Sequence, residues 1–440
     1  MRILIMAIGS LGDILPFTAL GAELQGRGHE VIFYSNDYFR RHAEEAGLRF
    51  TATSPAAEYE AFLHSPGSTD PQKAMRAVAS GVMERVEASH RIMAQDVLPG
   101  RTLALASTFA FAPRLLRETH SVPCAVLHLA PSVLRSCYSA PRFSPLGHLD
   151  ALPRFVKSLL WRAMDRKFMD PLYTLPFNRI RAQLGLAPIA RMFHHWLHEA
   201  DATLCMTPEW FAARQPDWPA ALAMTGFPLA DDSACRPLTA DLARFLDSGP
   251  APVVVTAGSA NAVSHAFYAA AIQACTTLGL RVIAVTADPR QLPANLPETA
   301  LHAHYAPFSA LLPRAAAFIH HGGIGSVAQA LRAGIPQVIQ PMAFDQFDNA
   351  SRVAQLNAGC EILPRHFQAT RVAQRLQAIL GNEAMAASCR RIAGALADAD
   401  GVSRACDTIM EKLDPSATVL AGRQRFYERD GEARITGLRA

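Results

Sequence analysis

Apolar residues in this chain fall into short unbroken runs set between glycine turns and helical stretches. Residues 2–8 form the first run, as expected of a strand covered on both faces. Residues 9–13 make a turn, 16–25 a helix, and Gly26-Arg27-Gly28-His29 ends that helix. Residues 30–34 are the next strand, which completes a βαβ unit. Further runs at 102–106, 124–127 and 202–206, with helical stretches between them, predict a doubly wound α/β domain over the first half.

The pattern breaks between 225 and 252, a stretch rich in Pro, Gly, Ser and Asp that reads as a connection between domains. Directly after it, Val253-Val254-Val255-Thr256-Ala257 runs into Gly258-Ser259, echoing the opening strand and its Gly9-Ser10. Strand-like runs follow at 281–285, 317–320 and 337–340. Two similar α/β halves are expected: 1–228, a linker at 229–250, and 251–414. The arginine-rich tail 415–440 lacks periodicity and is expected to be frayed or partly ordered.

Composition narrows the function classes. Half of the 440 residues are hydrophobic and the net charge is only +4, too small a basic footprint for bulk nucleic-acid binding. The eight cysteines form no CxxC pair, so neither structural zinc nor a disulfide framework is expected. They read as reduced thiols in a cytoplasmic protein. No apolar run reaches the roughly 18 residues that span a bilayer. Gly9 to Asp13 cuts short a run that otherwise resembles a signal peptide.

The strongest chemical signal is Phe318-Ile319-His320-His321-Gly322-Gly323-Ile324-Gly325-Ser326. A strand delivers His321 to its carboxyl end, glycines let backbone approach a ligand, and a helix begins near Ser326. Free N–H groups at a helix start favour an anion, so histidine, hydroxyl and N–H donors together suit a diphosphate. About twenty residues on, Asp345-Gln346 follows the next strand and offers acceptors and donors for sugar hydroxyls. Tyr305-Ala306 precedes the histidine strand, where an aromatic ring would stack on a base or lie in the core. Asp13 ends the first turn. Its position fits a general base and a helix cap equally.

Other patterns are set aside. Gly9-x-x-Gly12 is not a dinucleotide fingerprint. Asp398-Ala399-Asp400 closes a helix and does not suggest a metal. His194, His195 and His198 lack HExxH order and read as a helix face or pocket wall. The basic amphipathic stretch 154–181 reads as a surface helix, or as one that touches a membrane or an anionic amphiphile.

The opening GSxGD and the long HHGGxGSxxxAxxxGxPxxxxPxxxDQ pattern resemble the GT-B, family 1 nucleotide-sugar glycosyltransferases over nearly the whole chain. Segments including Pro208-Glu209-Trp210-Phe211-Ala212 and Asp217-Trp218-Pro219 are similar to the rhamnosyltransferase B branch of rhamnolipid biosynthesis. The resemblance implies two facing Rossmann-like domains with parallel sheets and an interdomain cleft. The first would bind acceptor and the second donor. It assigns the diphosphate to His321, Gly323, Gly325, Ser326 and Ser259, the donor sugar to Asp345 and Gln346, and the nucleobase to Tyr305 and Ala306. Relatives from plants pair a histidine at the position of Asp13 with a later carboxylate. Here the later strand supplies Ser107-Thr108, so the resemblance makes Asp13 itself the base.

The implied reaction is inverting, metal-independent transfer of L-rhamnose from dTDP-L-rhamnose to the hydroxyl of a 3-(3-hydroxyalkanoyloxy)alkanoate, a hydroxyacyl lipid. The alternative is glucosylation of a sterol, macrolide or other lipid from a UDP- or dTDP-sugar. An acyltransferase partner and peripheral contact with the inner membrane belong to the first reading; nucleic acid belongs to neither.

Overall fold

The computed structural model describes residues 1–63, 71–144, 149–231, 236–259 and 264–413. The tail 415–440 and Cys235 lie outside these residues. Among those described are seven free cysteines, most of them buried.

Two wholly parallel sheets organise the chain. The first contains β1 (Arg2–Met6), β2 (Glu30–Asn36), β3 (Arg49–Ser54), β4 (Thr102–Ser107), β5 (Cys124–His128), β6 (Ala202–Cys205) and β7 (Ala223–Met224), in the order β3-β2-β1-β4-β5-β6-β7. The second contains β8 (Val253–Thr256), β9 (Val282–Val285), β10 (Ala300–Ala303), β11 (Ala317–His320), β12 (Gln337–Ile339) and β13 (Gly359–Glu361), in the order β10-β9-β8-β11-β12-β13. Residues of the central strands are buried on both faces. That double burial explains why they read as continuous apolar runs rather than alternating ones. The strands at 49–54, 223–224, 300–303 and 359–361 were not expected. They lie at the sheet edges and are only partly covered, so their sequences carry less apolar signal.

Three expected boundaries move. The first helix is Leu11–Gly26, five residues earlier than the periodicity suggests, because Ser10 and Asp13 form a capping box that starts it ahead of Pro16. The expected linker contains a helix, Ala240–Asp247, whose Leu242 and Leu246 join the core of the second domain. The last described helix, Gly401–Leu413, was expected in the second half. Its Ala405, Cys406, Ile409 and Leu413 instead enter the core of the first, beside the helix Leu11–Gly26. Hydrophobic periodicity marks a face for burial but not its partner.

Polar contacts join the halves as well. Asp348 accepts from the Arg142 backbone N–H at 3.1 Å and from Arg352 Nε at 2.6 Å. Arg142 reaches Glu361 at 2.6 Å, and Arg352 donates to the Phe211 carbonyl at 3.2 Å. These bonds tie the loops after β5 and β6 to β13 and to the helix Gln346–Gln355.

Candidate active site

Each sheet reverses its winding once, between β1 and β4 in the first and between β8 and β11 in the second. Ligands of open parallel sheets bind outside the carboxyl ends of the strands at such a point. Asp13 follows β1, Ser259 follows β8 and His321 follows β11, so three of the expected residues leave strands at the two reversals. Asp345 and Gln346 follow the adjacent β12, and Tyr305-Ala306 follow β10 at the far edge.

His321 is clamped between two turns. A Cβ at Gly258 would lie 2.5 Å from its Cε1, and one at Gly323 would lie 2.6 Å from its Nε2. Gly258 also has φ +86°, a left-handed conformation that favours glycine. The buried His321 Nδ1 has no hydrogen-bond partner. Burial lowers the imidazole to about 4, so at neutral pH it can donate one N–H but brings no positive charge. Its neighbour His320 turns into the sheet. There Nδ1 accepts from the Gly322 N–H at 3.1 Å, which leaves Nε2 to donate to Gln337 Oε1 at 2.9 Å. His320 thus fixes the turn that presents His321.

The helix Ile324–Ala333 starts from Gly323, and Val327 makes its first backbone bond, to the Gly323 carbonyl. The N–H groups of Ile324, Gly325 and Ser326 precede that bond and point out of the helix start. Gly325 and Ser259 are exposed, and Ser326 is half-buried. This end of the second sheet can therefore receive an anion through peptide donors and a neutral imidazole.

Asp345 stands at the start of the next helix, Gln346–Gln355. Asn349, one turn along, donates to Asp345 Oδ2 at 2.7 Å and to the Gly322 carbonyl at 2.9 Å. One amide thereby ties the Asp345 loop to the glycine turn. Asn349 was missed by sequence reasoning, although its spacing of four residues from Asp345 was the available signal. Gln346 folds its Oε1 back onto the Met342 and Ala343 N–H groups at 2.8 and 3.1 Å. Its Nε2 makes no hydrogen bond among the described residues. Phe344, with φ 55° and an exposed ring, carries backbone strain beside Asp345.

Of the two readings left open for Asp13, the structure shows the helix cap. Its Oδ2 accepts from the Ser10 N–H at 2.7 Å and the Ser10 hydroxyl at 3.0 Å, so it does cap the helix, from inside the first turn. Burial raises its pKa, against the lowering effect of those bonds. Asp345 is raised to about 7, chiefly by burial, and the charge of Asp13 raises it further.

Other expectations fare unevenly. Ala306 is buried, and the guanidinium of Arg236 lies 5.5 Å from the centre of the Tyr305 ring. One face of that ring is thus shared with a cation. His194, His195 and His198 lie on turns and a short 3₁₀ segment rather than an α-helix face. His198 Nδ1 meets His128 Nε2 at 3.1 Å, and His128 Nδ1 meets the Thr108 hydroxyl at 3.0 Å. Asp400 caps the helix Gly401–Leu413, with Oδ1 accepting from the Ser403 N–H at 2.8 Å. Among the described residues, no group of three or more His, Cys, Asp or Glu side chains is placed to hold a metal. The basic stretch breaks into an α-helix (Arg154–Met164), a π-helix (Asp165–Thr174) and a second α-helix (Leu175–Gln183). Lys157 and Trp161 are buried there, while Phe155 and Leu159 are more than half exposed. No described helix is long and apolar enough to cross a membrane.

Residues 3–139 match the glycosyltransferase family 28 N-terminal domain, and residues 272–406 match the C-terminal domain of erythromycin biosynthesis protein CIII-like proteins. The chain is 27% identical to O-mycaminosyltylonolide 6-deoxyallosyltransferase of Streptomyces fradiae, over 95% of this chain and 99% of that relative. It is 28% identical to vancomycin aglycone glucosyltransferase of Amycolatopsis orientalis, over 82% of this chain and 85% of the relative. Among solved structures, the glycotransferase of kitacinnamycin superposes with TM-score 0.71 at 19% identity, covering 94% of this chain and 99% of that one. Spinosyn rhamnosyltransferase SpnG, solved with thymidine diphosphate, superposes with TM-score 0.61 at 18% identity, covering 92% and 98%.

Proposed function

We propose that this chain, a glycosyltransferase with the GT-B fold, transfers a sugar from a dTDP- or UDP-sugar to a hydroxyl of an apolar acceptor. The observation that carries this is the start of the helix Ile324–Ala333, where Ile324 packs against the cores of both halves, with Asp13 after β1 of one sheet and Asp345 after β12 of the other. One belongs to the domain expected to hold acceptor, the other to the domain expected to hold donor. The relatives favour the wider of the two reactions expected from sequence, since those whose names state an acceptor act on antibiotic scaffolds. Rhamnose transfer to a hydroxyacyl lipid is the narrower reading, supported on the donor side by a rhamnosyltransferase neighbour.

In this mechanism the donor diphosphate sits against the N–H groups of Ile324, Gly325 and Ser326, beside the His321 imidazole and Ser259. Asp345 and the Gln346 amide hold sugar hydroxyls, and Tyr305 and Ala306 border the base. Asp13 takes the acceptor proton as the acceptor oxygen attacks the anomeric carbon, opposite the departing nucleoside diphosphate. Donors aimed at the diphosphate stabilise the charge that develops there. No divalent cation is required on this reading. Full activity in EDTA is the expected result, and activity restored only by Mg²⁺ is the contrary one.

The deciding experiment incubates pure protein with dTDP-L-rhamnose, dTDP-glucose or UDP-glucose and a panel of macrolide, sterol and hydroxyacyl acceptors, read by mass spectrometry. An acceptor-dependent glycoside supports the proposal. Conversion of donor without any acceptor counts against transfer.

A further inference from the structure

We propose that the Thr108 hydroxyl is a second contact for the acceptor hydroxyl, across the reversal of the first sheet from Asp13, and that His128, His198 and Arg114 position it. The inference rests on the glycosyltransferase reading and deepens its acceptor side.

The first sheet reverses its winding between β1 and β4, so the carboxyl ends of those two strands flank its crevice. Asp13 follows β1, and Thr108 follows Ser107, the last residue of β4. Ser107 Oγ accepts from the Ile8 N–H at 3.0 Å, which fixes the two turns side by side. Thr108 is half-buried. Its hydroxyl lies 3.0 Å from Nδ1 of His128, the last residue of the next strand, β5. His128 Nε2 in turn lies 3.1 Å from His198 Nδ1.

The main chain of Thr108 is held as well. Arg114, on the helix Ala112–His120, donates to the Thr108 carbonyl at 3.3 Å and to the Leu197 carbonyl at 3.1 Å. One guanidinium thereby ties the turn that carries Thr108 to the residue before His198. Arg114 is only 2% exposed, and its buried Nε has no partner. Among the described residues its close neighbours are rings rather than a carboxylate, with Trp196 at 5.2 Å and Phe111 at 5.8 Å from the guanidinium. A buried cation without a counter-charge is costly, and so is a buried imidazole pair. Packing alone needs neither. What Arg114, His128 and His198 have in common is Thr108, since each bonds to it or to a group that does.

The imidazole chain is uncharged at neutral pH. Burial holds His128 well below the usual imidazole range, with His198 and Arg114 adding to the effect. Burial lowers His198 to about 3, with Arg114, Arg135 and His194 adding to it. The pair is therefore no rival to Asp13 for the acceptor proton. Each neutral ring carries one N–H. With the His128 proton on Nε2, Nδ1 is bare and receives the Thr108 O–H. With it on Nδ1, the Thr108 oxygen receives that N–H and turns its own proton outward, while His198 Nδ1 supplies the proton between the rings. Both orders carry the same charge, so an entering hydroxyl selects between them. In the second order the acceptor oxygen offers its proton to Asp13, receives the Thr108 O–H on one lone pair and keeps the other for the anomeric carbon. Two contacts fix the direction of attack where a single one leaves the oxygen free to turn.

Steady-state transfer from the three donors named above to methyl 3-hydroxydecanoate, cholesterol and erythronolide B, with dTDP affinity from calorimetry, tests the proposal. Thr108→Val keeps the shape and removes the hydroxyl. It should lower kcat/KM for the acceptor about tenfold, the scale of one hydrogen bond, with dTDP affinity within about twofold of wild type. Thr108→Ser returns the hydroxyl and should recover most of the loss. His128→Gln is chosen to reach His198 but not Thr108. It should cost as much as Thr108→Val, and the double variant should be no worse than either single one. A merely structural fault would lower the unfolding temperature and affect donor and acceptor alike. An acceptor kcat/KM unchanged in Thr108→Val overturns the contact, as does a loss that Thr108→Ser fails to recover or that dTDP affinity shares. Losses that add in the double variant overturn the positioning role of His128. The two Thr108 variants decide alone should His128→Gln not fold. Wild type that glycosylates none of the three acceptors overturns the glycosyltransferase reading and the contact with it, whereas an active wild type beside an unaffected Thr108→Val overturns the contact only.

Discussion

The His321 ring occupies the space that any side chain at Gly258 would need, with only 2.5 Å between Cε1 and a Cβ built there. A residue from β11 is thereby seated against the turn after β8, at the point where the second sheet reverses its winding. His321→Ala should weaken dTDP binding about tenfold, the scale of one hydrogen bond to a charged group. Because the imidazole titrates near 4, it is neutral through pH 6–8. Its contribution to dTDP affinity should be flat across that range, as calorimetry at several pH values can check. Unchanged affinity in the variant refutes the contact.

Asp13 is both cap and proposed base, and the two roles separate experimentally. Asp13→Asn keeps a side-chain oxygen for the Ser10 N–H but cannot take a proton. Turnover should drop about 10²-fold or more, with dTDP affinity within twofold of wild type and a small change in unfolding temperature. Ordinary turnover in this variant would exclude Asp13 as base.

Asp345 makes stability depend on pH. Folding raises its carboxyl to about 7, whereas the unfolded group titrates at about 4. Between those values the folded state binds the extra proton, so this group weakens folding as pH rises through the window. The buried His320 and His321, lowered to about 3 and 4, act oppositely and weaken folding as pH falls below about 6.5. Denaturant titrations of wild type and Asp345→Asn from pH 4 to 8 isolate the first effect. The variant should gain stability relative to wild type as pH rises, and parallel curves would contradict the assignment.

Gly401 carries the return of the chain to the first domain. A Cβ there would lie 2.3 Å from the Phe227 carbonyl oxygen, a backbone atom that cannot step aside cheaply. Gly401→Ala should destabilise by about 1–3 kcal/mol, the usual cost of forced overpacking, seen as a lower denaturation midpoint. Truncation after residue 400 would uncover the surface that Ala405, Cys406, Ile409 and Leu413 bury. The expected product is aggregation-prone, and a stable monomeric product would show that the helix is dispensable.

Much of this protein was legible in its sequence because the responsible forces are local. Strands buried on both faces must be apolar throughout, so β1, β4, β5, β8 and β11 announced themselves. The turns after β1 and β11 required Gly9 and Gly322 at positive φ, and the residues beside them, Asp13 and His321, stand beyond the carboxyl ends of those strands by chain connectivity alone. Tertiary structure decided what depends on neighbours distant in sequence. It set the protonation of His321 and Asp345, since burial governs both and the opposing Asp13 adds to the second. It placed the helix Gly401–Leu413 in the first domain, since an apolar face does not name its partner. It also brought Arg135 and Arg191 to the one carboxylate of Asp165, because charge pairing is settled by distance in space and not by order along the chain.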